Sequence, residues 1–369
     1  MYKIFIDNNV ASEEFVPIAI YDPERIDEGY SASNMSMTKE LDRAGSLSFK
    51  IPALHPSYRD IYPLRSTIVV LSDDRVVWYG RVISANRDFY MNKSVKCEEA
   101  ITFFSDILVK PFKYYLGASN YGSTITNHIT TIIAMYHNRC SPKRDISYSG
   151  GNLPEGFGDS SVYAVKGVDS YTSVWDEISG VCSYDNSVHM TLDYTGISAS
   201  IAPPTLVIGK MPYAMTENPI EVGVNLIDIS DDVDFTDLYT SLIPLDEDNK
   251  TMSGSEYYVD NENLKSQYGV IERTIQLGSV SNASLVRNFC NEILQENAKL
   301  VIPKISLSAL DLFYLTDGST AIDVGICVHI IAQANGIDGY YLCKSIQVDL
   351  ENPENANYNF EYYSNIPMS

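Results

Sequence analysis

Ser33–Ala53 reads SNMSMTKELDRAGSLSFKIPA and Asn225–Leu245 reads NLIDISDDVDFTDLYTSLIPL. Laid over one another without gaps, they put Met35 on Ile227, Met37 on Ile229, Leu41-Asp42 on Val233-Asp234 and Ile51-Pro52 on Ile243-Pro244. Both alternate apolar and polar residues, pass an acidic turn and leave on Ile-Pro. Alternation with period two marks a half-buried strand, and a strand pattern that recurs within one chain announces a repeated structural unit. A second match follows in the same order. The hairpin of residues 68–89 resembles that of residues 328–350, and both end on an Asp before an apolar residue, Asp88-Phe89 and Asp349-Leu350. One β unit is therefore expected twice: in 1–110, and again in 206–245 plus 305–369, interrupted by an α/β insertion at 246–304.

The repeat gives a reading of the five aspartates Asp228, Asp231, Asp232, Asp234 and Asp237. They fall on the polar positions and turn of a hairpin, solvated on one side. A calcium loop needs acids or amides at alternate positions, then Gly and a closing Glu. Here Ser230 stands at the second ligand position and neither Gly nor Glu follows. No metal site is expected.

Helical patterns lie between and inside the β copies. STITNHITTIIAMYHNR puts Ile125, Ile129, Ile132, Ile133 and Tyr136 on one stripe below a Ser123/Thr124 cap. DSYTSVWDEISGVC spaces Val174, Ile178 and Val181 for one face, with Trp175 as a core residue, and HMTLDYT reads as a strand. CEEAITFFSDILV predicts a short amphipathic helix with Ile101, Phe104 and Leu108 on one face. In the insertion, NASLVRNFCNEILQENAK carries Leu285, Val286, Phe289, Cys290, Ile293 and Leu294 at helical spacing. Ser72-Asp73-Asp74 and Asn335-Gly336 read as hairpin turns. GGNLPEGFG reads as a loop, and Pro203-Pro204 as a boundary closing an α/β domain at 111–205. The predicted class is α+β, mainly β: two related antiparallel β-barrel-like domains and two smaller α/β domains.

Chemistry is hard to find. The six cysteines form no C-x-x-C pair and read as reduced, partly buried thiols. The five histidines, His55, His128, His137, His189 and His329, lie far apart, and no H-E-x-x-H joins any two. GFGDSS has Ser161 where a dinucleotide loop needs its last Gly. No run of about eighteen apolar residues marks a membrane span, and the N-terminus lacks signal-peptide features. Catalytic, cofactor-binding and metal-binding residues are all expected to be absent. The net charge of −22 disfavours a grip on nucleic acid or anionic membrane. The 27 tyrosines favour packing and protein interfaces.

Several stretches, in order, resemble the N-terminal hub region of phage tail-associated lysins, also called prophage endopeptidase tail proteins. IPALHPSYRDIYPLRSTIVVL resembles the segment in which His-Pro precedes the first long hairpin. VVWYGRVISANRDFYMNKSVKCEEAITFFSD resembles that hairpin with the strand and helix after it. NLIDISDDVDFTDLYTSLIPL and YGVIERTIQL resemble the middle, and KISLSALDL with GIDGYYLCKSIQVDLENPENANYNFEY the closing barrel.

The resemblance implies a protein similar to the central hub of contractile-tail baseplates. Such a protein is a homotrimer at the distal tail tip of a virion, folded in the bacterial host cytoplasm before assembly. Two related barrels per subunit, times three, make a pseudo-sixfold ring under the sixfold tail tube. Implied partners are the distal tail protein, the tape-measure protein and receptor-binding or fibre proteins. Genomic DNA would pass through the channel without specific binding. The five aspartates would then approach that channel. Two other classes stay open: a cell-wall hydrolase with an unrecognised site, and a carbohydrate-binding tail module using the tyrosines. A phage-derived particle would use the same physics.

Overall fold

Strands come first: β1 (Tyr2–Asp7), β2 (Ile18–Tyr21), β3 (Ser33–Glu40), β4 (Ser46–Ile51), β5 (Thr67–Ser72), β6 (Arg75–Arg87) and β7 (Lys93–Glu99). A computed structural model of the chain describes residues 1–114, 123–150, 153, 165, 167–182, 188–194, 201–232, 235–246, 258–277, 283–298, 301, 304–310, 321–354 and 356–363. The alternation read in the sequence sorts the side chains. Met35, Met37, Leu47, Phe49, Val95 and Cys97 are buried, while Ser46 and Lys96 between them are exposed. The β5–β6 turn falls at Asp73 and Asp74, both at positive φ (49° and 62°), as a right-twisted two-residue hairpin demands.

The segment CEEAITFFSDILV is not an amphipathic α-helix. Cys97–Glu99 finish β7, and Ala100–Asp106 form a 3-10 helix. That tighter turn buries Ala100, Ile101, Phe103 and Phe104, and leaves Leu108 exposed. Next come α1 (Ile125–His137), β8 (Ser147–Gly150), α2 (Val174–Cys182), β9 (Val188–Asp193) and β10 (Thr205–Lys210). β10 lies between β8, parallel to it, and β9, antiparallel. Thr124 caps α1, its side chain accepting from the Asn127 amide. The predicted stripes of α1 and α2 are buried in one core with Phe103, Phe104 and Tyr79. Trp175 packs at the margin of that core, partly buried. Gly151, Asn152 and the GFGDSS stretch lie outside the described residues.

The chain then runs through β11 (Leu226–Asp232). Contacts divide it into two units, Met1–Asp228 with Leu307–Ser369, and Ile229–Ser306. The second unit holds β12 (Ser241–Leu245), β13 (Val259–Asp260), α3 (Glu262–Tyr268), β14 (Glu272–Gln276) and α4 (Ala283–Ala298). β12 is central, antiparallel to β13 and parallel to β14. Leu242, Val259, Val286, Cys290 and Leu294 form its core. Phe289, predicted on the apolar stripe of α4, is exposed.

After β15 (Lys304–Ala309) come β16 (Ile326–Ala332), β17 (Ile337–Asp349) and β18 (Ala356–Tyr362). The large sheet runs β11-β15-β18-β17-β3-β4-β7-β6-β5-β1-β2, with β16 pairing β17. This corrects one reading of the repeat. Ser33–Ala53 is a hairpin, β3 against β4, but Asn225–Leu245 is not: β11 pairs β15, and β12 belongs to the small sheet. Alternation says that a segment is a strand and leaves its partner open.

The repeat itself is deeper than the sequence match. β3-β4-β7-β6-β5 and β11-β15-β18-β17-β16 follow the same order. β6 and β17 are both 13 residues long. Each carries a bulge at the same place, between Val82 and Ser84 against β7 and between Cys343 and Ser345 against β18. A bulge bends and twists a strand at a fixed point, so both copies carry such a point at matching positions.

Candidate functional site

The five aspartates do not form one described site. Asp228 lies exposed on β11 in the first unit. Asp231 and Asp232 end the same strand, with side chains outside the described residues, as is all of Asp234. Asp237 is exposed in the second unit. Its carboxylate accepts from Arg273 at 3.4 Å, and its carbonyl accepts from Asn297 Nδ2 at 3.0 Å.

More of the surface is organised around the sheet. The outer half of β17 pairs β3, Ser345–Asp349 against Glu40–Ser36. Leu350 N–H donates to the Met35 carbonyl at 2.9 Å, and Leu41 N–H to the carbonyl of the bulge residue Lys344 at 2.8 Å. This junction joins the two copies in the sheet. The outer half of β6 carries exposed Ile83, Asn86 and Arg87, and its turn raises Phe89, Tyr90 and Met91 into solvent. Phe89 and Tyr90 meet edge to face at 5.4 Å.

Each histidine is committed to its own neighbour. His55 Nε2 donates to the Ile20 carbonyl at 2.7 Å and Nδ1 accepts the Ser57 amide; burial lowers its pKa and keeps it neutral. His128 Nε2 donates to Glu177 at 2.8 Å and Nδ1 accepts the Tyr114 hydroxyl at 3.0 Å. His189 donates to Asp42 at 2.6 Å, and His329 to Asp338 at 2.9 Å while stacking on Tyr340. His137 bonds Asp145, which also accepts the Cys140 thiol at 3.3 Å. The donor atoms of His137, Cys140 and Asp145 lie within 4.8 Å of one another, a set that can present nitrogen, sulfur and oxygen to a cation. Its hydrogen bonds already close the end of α1, and burial with the Asp145 carboxylate pushes the Cys140 thiol up to about 12. Such a thiol is a poor nucleophile.

No protein-family model and no curated protein matches the sequence. Solved structures do match, over nearly the whole chain. A tail protein from Neisseria meningitidis is 12% identical, with a TM-score of 0.63 over 98% of this chain and 96% of that one. A 43 kDa prophage tail protein from Shewanella oneidensis is 11% identical, with a TM-score of 0.63 over 98% and 97%. The chain has the fold of a phage tail protein. A prophage tail protein from Listeria monocytogenes shares it more loosely, 12% identical with a TM-score of 0.53 over 99% and 95%.

Within this tail-protein fold, sequence reasoning missed the residues that tie the first β copy to the α/β segment. Asp42, at positive φ in the β3–β4 turn, accepts from His189 and from the Met190 amide, and its own amide donates to the Met190 carbonyl. Burial works to raise the Asp42 carboxyl, but those bonds and the charge of Lys344 hold it below its usual value. Glu99 is buried and accepts the Tyr194 hydroxyl at 2.6 Å and the Gly45 amide at 2.8 Å. Burial pushes it up to about 7, against the pull of those two bonds. Lys143 is buried with Asp7 at 3.1 Å. Their surroundings carry no signal: Asp42 stands in ELDRAG, Glu99 follows Glu98 in KCEEAI, and Lys143 stands in SPKRD, so each reads as an ordinary polar surface position. Among the described residues no helix is long and apolar enough to cross a membrane.

Proposed function

We propose that this chain is a structural subunit of a phage tail, working as a homotrimeric hub at the distal tip. The observation that carries the reading is the pair of β copies with one strand order and one bulge, joined edge to edge in a single chain. Three such chains present six alike modules, which is what a threefold tip under a sixfold tube requires. The likeness to tail proteins over whole chains supports it. In this reading 1–110 and 206–245 with 305–369 are the two ring domains and 111–205 and 246–304 the α/β domains, except that β12 (Ser241–Leu245) pairs within the small sheet of the second unit. The ring docks on the distal tail protein, carries receptor-binding or fibre proteins, and passes the tape-measure protein and DNA. The role is structural rather than catalytic, in keeping with histidines already engaged and a Cys140 thiol held protonated.

The channel part of the proposal is that Asp228, Asp231, Asp232, Asp234 and Asp237 approach the lumen, where carboxylates repel DNA phosphates and let the duplex slide. Changing all five to Lys in a tailed particle is expected to slow or stall DNA ejection while tails still assemble. Ejection at the normal rate would contradict it. An antibody against the chain should decorate one end of the tail, and labelling along the tube would overturn the tip assignment.

A further inference from the structure

The carboxyl end of α1 brings together three donor atoms that the sequence sets apart. His137 is the last residue of the helix, and Cys140 and Asp145 follow it in the connection to β8. After Cys140 the chain folds back through a 3-10 turn, Pro142–Arg144. Two buried tyrosines pin that turn: Tyr79 donates its hydroxyl to the Lys143 carbonyl at 2.9 Å, and Tyr136 donates its own to the Arg144 carbonyl. Ile146, fully buried, anchors the residue after Asp145. Asp145 is thereby held against the end of the helix, its amide donating to the Pro142 carbonyl at 3.3 Å.

Charge at this end is arranged for a cation. The basic residues just before Asp145 are both drawn away from it. Lys143 sits beside Asp7 and donates to the Ser12 and Glu14 carbonyls, and Arg144 donates to Asp106 and the Leu64 carbonyl. Arg139 is exposed. The Asp145 carboxylate is left to His137 Nδ1 and Cys140 Sγ. The last carbonyls of α1 put the negative pole of the helix at the same place.

The donor set selects the kind of cation. Thiolate, imidazole and carboxylate together suit zinc and its neighbours, whereas magnesium and calcium take shells of oxygen. Bonds of about 2.0 to 2.3 Å in a tetrahedron set donor atoms roughly 3.3 to 3.7 Å apart. Cys140 Sγ and Asp145 Oδ1 already stand at 3.3 Å, and all three donors lie within 4.8 Å of one another.

We propose that the end of α1 is a binding site for a divalent cation of the zinc class, held by His137 Nδ1, Cys140 Sγ and Asp145 Oδ1 with water in the fourth position. On binding, the Cys140 thiol proton leaves to solvent, His137 carries its proton on Nε2, and the ion replaces the hydrogen bonds that preorganise the three side chains. A thiol raised by burial and a neighbouring carboxylate does not oppose this, because coordination removes the proton outright. The bound ion fastens α1 to the segment that leads into β8.

The test uses the full chain without a histidine tag, stripped by a chelator and kept reduced with a phosphine. Titration with cobalt(II) is expected to saturate at one ion per chain, with a thiolate-to-cobalt charge-transfer band and visible bands of tetrahedral intensity that zinc then bleaches. His137 and Asp145 are exposed and Cys140 is partly so, so single variants should keep the wild-type circular dichroism. Cys140→Ser should abolish the charge-transfer band, and His137→Gln should weaken zinc binding about tenfold or more by calorimetry. Excess zinc should raise the melting temperature of the wild type and leave that of Cys140→Ser where it was. A wild-type chain that gives no charge-transfer band overturns the site. So does a band that survives Cys140→Ser undiminished, or zinc binding of equal strength in the wild type and both variants.

Discussion

At the residue scale, buried Glu99 and half-buried Asp42 pull the pH response in opposite directions. Glu99 is held with its carboxyl raised to about 7. The stability that comes from keeping it neutral is present below its ordinary value near 4.5, and is lost as pH rises through 7. The size of that loss is about 3 kcal/mol. Asp42 is held below its ordinary value, so its contribution is present above that value and is lost as pH falls through the lowered one. Thermal melting from pH 3 to pH 9 is therefore expected to show a decline between about pH 5 and pH 8 that Glu99→Gln removes. Asp42→Asn should leave that decline and flatten the acid limb instead. A wild-type melting temperature that is level across that range, or a Glu99→Gln curve parallel to it, would contradict the role given to Glu99.

Elements show what a single sequence can and cannot deliver. α1 was legible to its cap, because helical periodicity and a Thr N-cap are both local. Thr124→Ala removes the bond to the Asn127 amide and is expected to cost about 1 kcal/mol, read as a lowered midpoint in urea. An unchanged midpoint would place the stability of α1 in its packing alone. The turns at Asp73-Asp74 and at Gly336 were legible for the same reason, since positive φ leaves a residue signature. Pairing was not legible. The alternation at Asn225–Leu245 marked two strands, but the partner of β11 is β15, beyond the insertion. Helical spacing also misplaced Leu108 and Phe289, both exposed. In CEEAITFFSDILV the 3-10 turn replaces the α period. In α4 an apolar residue at the right spacing stays at the surface. The candidate site was the least legible. Asp228 and Asp237 belong to different units, and nothing in the alternation of Asn225–Leu245 separates them.

For the whole molecule, the question is why one chain should hold the same five-strand order twice and join the copies through strand edges. An isolated protein gains little from a second copy of one strand order with the same bulge. In the proposed ring of three, one gene product supplies six modules of one strand order. The absolute mass of the purified chain across a dilution series, by light scattering, tests this most directly. The account predicts a species near three times 41.2 kDa that persists on dilution. A particle of 41.2 kDa at every concentration would contradict it.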